Sequence, residues 1–153
     1  MGTASEVGEF AEQHELSVAV AESLTGGNVA AALSAAGDSA QWFRGGVVAY
    51  STTVKRALLG VPDVPVVSET AASAMAEGVR SLMDADVAVS TTGVGGPGSQ
   101  DDEPPGSVWF GVATRDVAWA VHHSFDGGPE EVVEQSVQRA LELLLAALAG
   151  TVD

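Results

Sequence analysis

The sequence predicts an α/β fold of three layers, with helices on both faces of a mixed, partly parallel sheet. Three observations carry that expectation. Short β-branched apolar runs alternate with alanine-rich helical stretches, the order expected of a layered α/β domain. The first of these strands empties through a glycine-containing turn directly into a helix, as a parallel strand with a crossover connection does. Toward the end of the chain, two strand-like runs are separated only by Arg115 and Asp116, which predicts an antiparallel hairpin. Residues 1–153 are expected to form one domain of this kind.

Taken in order, Val7, Phe10 and Ala11 fall at helical spacing within Ser5 to Glu15 and predict a first amphipathic helix. The run Ser17-Val-Ala-Val-Ala21 is short and apolar enough for a buried strand, and Asn28 to Ala36, after the turn Glu22-Ser-Leu-Thr-Gly-Gly27, reads as a helix. Arg44 to Ser51 predicts a second buried strand, followed by a short helix from Thr53 to Leu59 that Gly60 and Pro62 end. Ser68 is suited to cap a helix reaching about Met83, with Ala72, Met75, Ala76, Val79 and Leu82 on one stripe. A third apolar strand, Asp86 to Thr92, runs into Gly93-Val-Gly-Gly-Pro-Gly98 and the acidic loop Ser99 to Pro105. Ser107 to Thr114 and Val117 to Phe125 form the hairpin, and Pro129 opens a last helix to about Leu148, with Glu130 and Glu131 in its first turn.

Composition then removes whole classes of function. Asp and Glu number 21 against 6 Lys and Arg, a formal net charge of −15 that repels nucleic-acid phosphates. The absence of cysteine removes disulfides, thiolate catalysis and thiolate metal sites. No apolar run approaches the roughly 20 residues that cross a bilayer, and the acidic start differs from a signal peptide, so a cytoplasmic location without membrane partners is expected. Many acidic residues beside a single lysine also suit a protein solvated at high salt.

Ligands of open α/β sheets gather beyond the carboxyl ends of the strands, which here are Glu22 to Gly27, Tyr50 to Lys55 and Gly93 to Gly98. Ser23 stands at a strand end, where its hydroxyl could be a nucleophile and the amides of Gly26 and Gly27 could receive an oxyanion. The alternative is that Ser23 and Thr25 only cap the following helix. A serine needs a base. His14 belongs to the first helix, and His122 and His123 point to opposite faces of one strand, so all three read as structural. That leaves Lys55, the only lysine, if burial and a neighbouring cation such as Arg56 bring its pKa toward roughly 7–8. Tyr50, the only tyrosine, could relay the proton.

Four segments carry a resemblance. Ala21-Glu-Ser-Leu-Thr-Gly-Gly27, then Phe43-Arg-Gly-Gly-Val-Val-Ala-Tyr-Ser51 with Lys55 and Leu59-Gly60-Val61, then Thr92-Gly-Val-Gly-Gly-Pro-Gly98, and finally Pro105-Gly-Ser-Val-Trp109 closely resemble the CinA carboxyl-terminal domain family, in order and over nearly the whole chain. The resemblance implies hydrolysis of the carboxamide of nicotinamide mononucleotide to nicotinate mononucleotide and ammonia. It also implies that Ser23, Tyr50 and Lys55 are the catalytic residues, that Thr25, Gly26, Gly27, Gly93, Gly95 and Gly96 bind the substrate, and that no metal or cofactor takes part; Arg44 joins the expected binding residues as a cation that could take the place of those missing from the family pattern. A small nucleotide is the expected ligand and an assembly of identical copies the expected state.

The chain departs from the family pattern in its positive charge. Leu24 replaces a cysteine, Glu103 lies in a stretch that commonly holds lysine, and Pro129 and Val133 stand where arginines are common. Either Arg44, Arg139 or backbone N–H groups replace those ligands, or the amide substrate is a different one. A non-catalytic domain that binds a nucleotide or a partner is the third alternative.

Overall fold

The computed structural model describes residues 2–100 and 102–152, so Met1, Asp153 and the Asp101 of the acidic loop lie outside the described residues. The elements follow one another as α1 (Thr3–Gln13), β1 (Val18–Glu22), α2 (Asn28–Ala35), α3 (Ser39–Trp42), β2 (Phe43–Val48), α4 (Thr52–Leu59), α5 (Glu69–Met83), β3 (Val87–Gly93), β4 (Ser107–Thr114), β5 (Ala118–Ser124) and α6 (Pro129–Thr151). The five strands form one sheet in the order β2-β1-β3-β4-β5. β1 pairs in parallel with both β2 and β3, and β4 and β5 extend the sheet antiparallel. The sheet is therefore mixed, with helices on both faces.

Side-chain alternation along the strands explains why the two faces differ. Val18 and Val20 of β1, Val87 and Val89 of β3, and Val108, Phe110 and Val112 of β4 point to the face covered by α1, α2 and α6, and bury a thick aliphatic core with Leu33, Trp42 and Leu144. On the other face Ala19, Ala21 and Ala88 meet α4 and α5 through Leu59, Met75 and Val79. Small residues let α5 come close. A Cβ at Gly111 would stand 1.9 Å from the Ala72 carbonyl oxygen, and the Ser90 hydroxyl donates to that same oxygen at 2.7 Å.

Two expectations need correction, and one element was not expected. The segment Arg44 to Ser51 is an edge strand that ends at Val48, alternately half-buried and exposed, because α2 and α4 leave its outer side open. Leu82 lies outside the buried stripe of α5 and is 50% exposed, while its neighbour Met83 turns to the sheet and packs near Gly45 of β2. The short α3 had no periodic pattern long enough to announce it. Ser68 does cap α5, its hydroxyl accepting from the Ala71 N–H at 3.2 Å.

Among the described residues one buried side-chain polar atom, the Ser136 hydroxyl of α6, has no hydrogen-bond partner. Ser136→Ala is expected to stabilise the fold by about 1 kcal/mol, because it removes the desolvation cost of that hydroxyl without opening a cavity. Urea unfolding checks this, and a loss of stability would mean that the hydroxyl holds a buried water.

Candidate active site

The strand order creates the site. The chain leaves β1 to one side for β2 and returns past it to β3, so the loops after these strands diverge and open a crevice at their carboxyl ends. A cavity of about 300 Å³ lies there, and Ser23 from the end of β1, Tyr50 and Lys55 from the segment after β2, and Gly93, Gly95 and Gly96 from the loop after β3 all line it. That size is near the lower end of small-molecule sites.

Ser23 is held by its neighbours on both sides. The buried Glu22 carboxylate accepts from the N–H groups of Gly27 at 3.2 Å, Val29 at 2.9 Å and Ala30 at 2.9 Å, so it caps the start of α2 from beneath. Thr25 and Thr91 share a 2.8 Å hydrogen bond between buried hydroxyls, and Thr91 also accepts from the Ser23 amide at 3.4 Å. The turn needs φ of +58° at Gly26 and +100° at Gly27, a left-handed geometry that favours glycine.

Tyr50 and Lys55 arrive by a second route. The Ala49 N–H donates to the Glu22 carbonyl at 2.7 Å, which ties the end of β2 to that of β1. Ser51 then caps α4 by accepting from Val54 N–H at 3.1 Å, and the first turn carries Lys55 inward to 3% exposure. Tyr50 is 68% exposed and reaches over the turn after Ser23, its hydroxyl 3.7 Å from where a Cβ at Gly26 would stand.

Other expected site residues fall elsewhere. Thr25, Gly26 and Gly27 do not line the cavity. The Gly26 amide donates to the Ser23 carbonyl at 3.0 Å and the Gly27 amide to Glu22, so neither is open to an oxyanion. The amides of Leu24 and Thr25 have no hydrogen-bond partner among the described residues, and Leu24 does line the cavity. Arg44 sits at the opposite end of the sheet, because β2 runs from it toward the site; there it borders a separate groove of about 820 Å³ with Glu12, Glu15, Asp38 and Asp86. Arg139 pairs with Glu142 on α6 at 3.5 Å, and Arg56 is bound to Asp63 at 3.0 Å.

The far wall was visible in the sequence only as a loss. Pro129 and Val133 of α6 line the cavity, as do Val67 and Gln100. The histidines do not. His14 stacks on Phe10, His123 on Phe125, and His122 stacks on Trp109 while its Nε2 lies 2.8 Å from the Ser107 hydroxyl. Among the described residues no group of three or more His, Asp or Glu side chains could hold a metal ion, and no helix is long and apolar enough to cross a membrane.

Comparison with known proteins agrees with this fold. A CinA superfamily protein from Klebsiella pneumoniae superposes with a TM-score of 0.92 at 35% identity, covering 97% of this chain and 96% of that one. A CinA superfamily protein from Escherichia coli gives 0.90 at 34% identity, covering 94% and 87%. A CinA-like protein of Frankia casuarinae is 38% identical over 143 residues, 90% of this chain but 33% of the relative, so the chain spans about a third of the curated proteins it matches. The family profile of the CinA C-terminal domain matches residues 2–148, and the chain belongs to that family.

Proposed function

We propose that the protein is a serine-type amidohydrolase that deamidates a carboxamide of the nicotinamide mononucleotide type and releases ammonia. The observation that carries this reading is the convergence of Ser23, Tyr50 and Lys55, from two different strand ends, on one cavity. Ser23 attacks the carboxamide carbon while Lys55, neutral at that moment, takes the hydroxyl proton. The Leu24 amide, next in the chain after the nucleophile, takes the oxyanion role that Gly26 and Gly27 are unable to fill. Collapse of the tetrahedral intermediate breaks the C–N bond, with the proton passing from Lys55 through Tyr50 to the departing ammonia. Water then hydrolyses the ester on Ser23, and Lys55 acts as base a second time. The test is ammonia release from pyridine carboxamides by the purified protein, with Ser23→Ala as the control and mass spectrometry to trap the acyl-enzyme. No ammonia from any of them would end this reading.

The glycine loop after β3 supplies a sharper expectation. Gly93 is required by packing, since a Cβ there would meet the Ser107 carbonyl oxygen at 2.6 Å, whereas a Cβ at Gly95 meets no protein atom within 4 Å. Gly95→Ala is expected to fold with unchanged melting temperature and to lower kcat/KM by about tenfold, the effect of a methyl group in a fitted pocket. Gly93→Ala is expected to cost about 1–3 kcal/mol of stability. Equal kinetics for Gly95→Ala and the parent would place the substrate away from this loop.

A further inference from the structure

The cavity has the parts for amide chemistry but few for a phosphate. Among the described residues that line it, Lys55 is the one basic side chain, and Leu24, Val67, Pro129 and Val133 are apolar. A phosphate is held most strongly by cationic side chains and free helix N–H groups. The N–H groups that open α2 are occupied by the Glu22 carboxylate. The start of α6 is a poor alternative, because Pro129 has no N–H, the Gly128 N–H donates to Glu131 at 2.9 Å, and the carboxylates of Glu130 and Glu131 in the first turn repel an anion from the N–H groups that remain. The one neighbouring cation, Arg56, lies in a second hollow beyond Gln100 and is neutralised by Asp63.

We infer that the substrate is a pyridinium nucleoside carboxamide without a phosphate. This rests on the amidohydrolase reading and changes only the molecule on which it acts. A 5′-phosphate would enter a cavity that offers it no cationic side chain besides the Lys55 that the reaction itself uses, whereas its removal leaves a ligand whose only charge is the cationic pyridinium ring. The net charge of −15 then attracts the substrate rather than repelling it. Pro129 and Val133 offer apolar contact to the sugar where a charged group would be left unpaired.

Two measurements separate this inference from the reading beneath it. The Ser23→Ala protein, unable to turn over, is titrated by calorimetry with nicotinamide riboside, nicotinamide mononucleotide and inorganic phosphate. The nucleoside is expected to bind at least about tenfold more tightly than the mononucleotide, about 1.4 kcal/mol, and phosphate alone is expected not to bind. With the active protein, kcat/KM for the nucleoside should fall as KCl rises from 0.1 M to 1 M and the Debye length shrinks from about 10 Å to about 3 Å, while that for the mononucleotide should rise. Val133→Arg should shift the preference toward the mononucleotide by at least about tenfold; if that variant fails to fold, the salt titration of the parent decides alone. Tighter binding of the mononucleotide overturns the inference and leaves the amidase reading intact. If Arg56→Ala abolishes that tighter binding, the phosphate belongs in the hollow beyond Gln100. Nucleoside binding without ammonia release from either compound overturns the amidase reading and leaves the ligand preference standing.

Discussion

Ser23→Ala is expected to lower the turnover number by about four orders of magnitude or more, and Lys55→Met to do the same, with the double variant hardly worse than either. The reason is that nucleophile and base act as one unit, so once one is gone the other has nothing left to do. Lys55→Met is preferable to alanine because Lys55 is buried at 3% exposure and an alanine would leave a void. Tyr50→Phe should cost less, about tenfold to a hundredfold, since a largely exposed phenol assists proton transfer to a leaving group that water also reaches. Steady-state ammonia release measures all four, with circular dichroism to establish that each is folded. Full activity in Ser23→Ala would leave the serine as a turn residue and remove the covalent mechanism.

The largest effect on stability is expected at Glu22, which reasoning from the sequence passed over as one letter of a motif. Its carboxylate is 1% exposed and accepts three amide N–H groups from the start of α2. Glu22→Ala strands those donors in the interior and should cost about 3–5 kcal/mol, lowering the melting temperature by about 10 °C or more. Glu22→Gln retains one acceptor but turns an NH2 group toward at least one amide, so about half that loss is expected. Denaturant unfolding distinguishes the two, and a Glu22→Ala protein as stable as the parent would show that water replaces the carboxylate. Activity should fall with stability, because Ser23 is the next residue.

What the sequence made legible follows a physical division. A lone tyrosine and a lone lysine stood out because each is unique in the chain, and one serine among many stood out by its place at a strand end; the structure brings these three to one cavity. The helix after Ser68 was legible from its cap and its alanine-rich stripe, and the hairpin from its two-residue turn. Glu22 was not, since its partners are five to eight residues ahead and meet it only after the turn has formed. Arg44 was misplaced for a related reason. It is six positions from Tyr50, but along a strand each residue advances about 3.3 Å, and that carries it to the far end of the sheet. Edge or centre is likewise a property of strand order, so the alternating exposure of β2 depends on a neighbour that local sequence does not name.

The cavity wall contributed by α6 has a consequence for how such a protein can change over generations. The strand ends carrying Ser23, Tyr50 and Lys55 belong to the parallel half of the sheet, whereas Pro129 and Val133 come from the first turns of the final helix. Pro129 is exposed and Val133 half-buried, so neither is committed to the core that holds the strands in register. On the proposed amidohydrolase reading, single codon changes at these two positions would alter which molecules enter without disturbing the parts that react with them. On that reading, lineages sharing this fold would drift apart in substrate while keeping the same chemistry, and resemblance across the strand ends would be a better guide to reaction than to substrate.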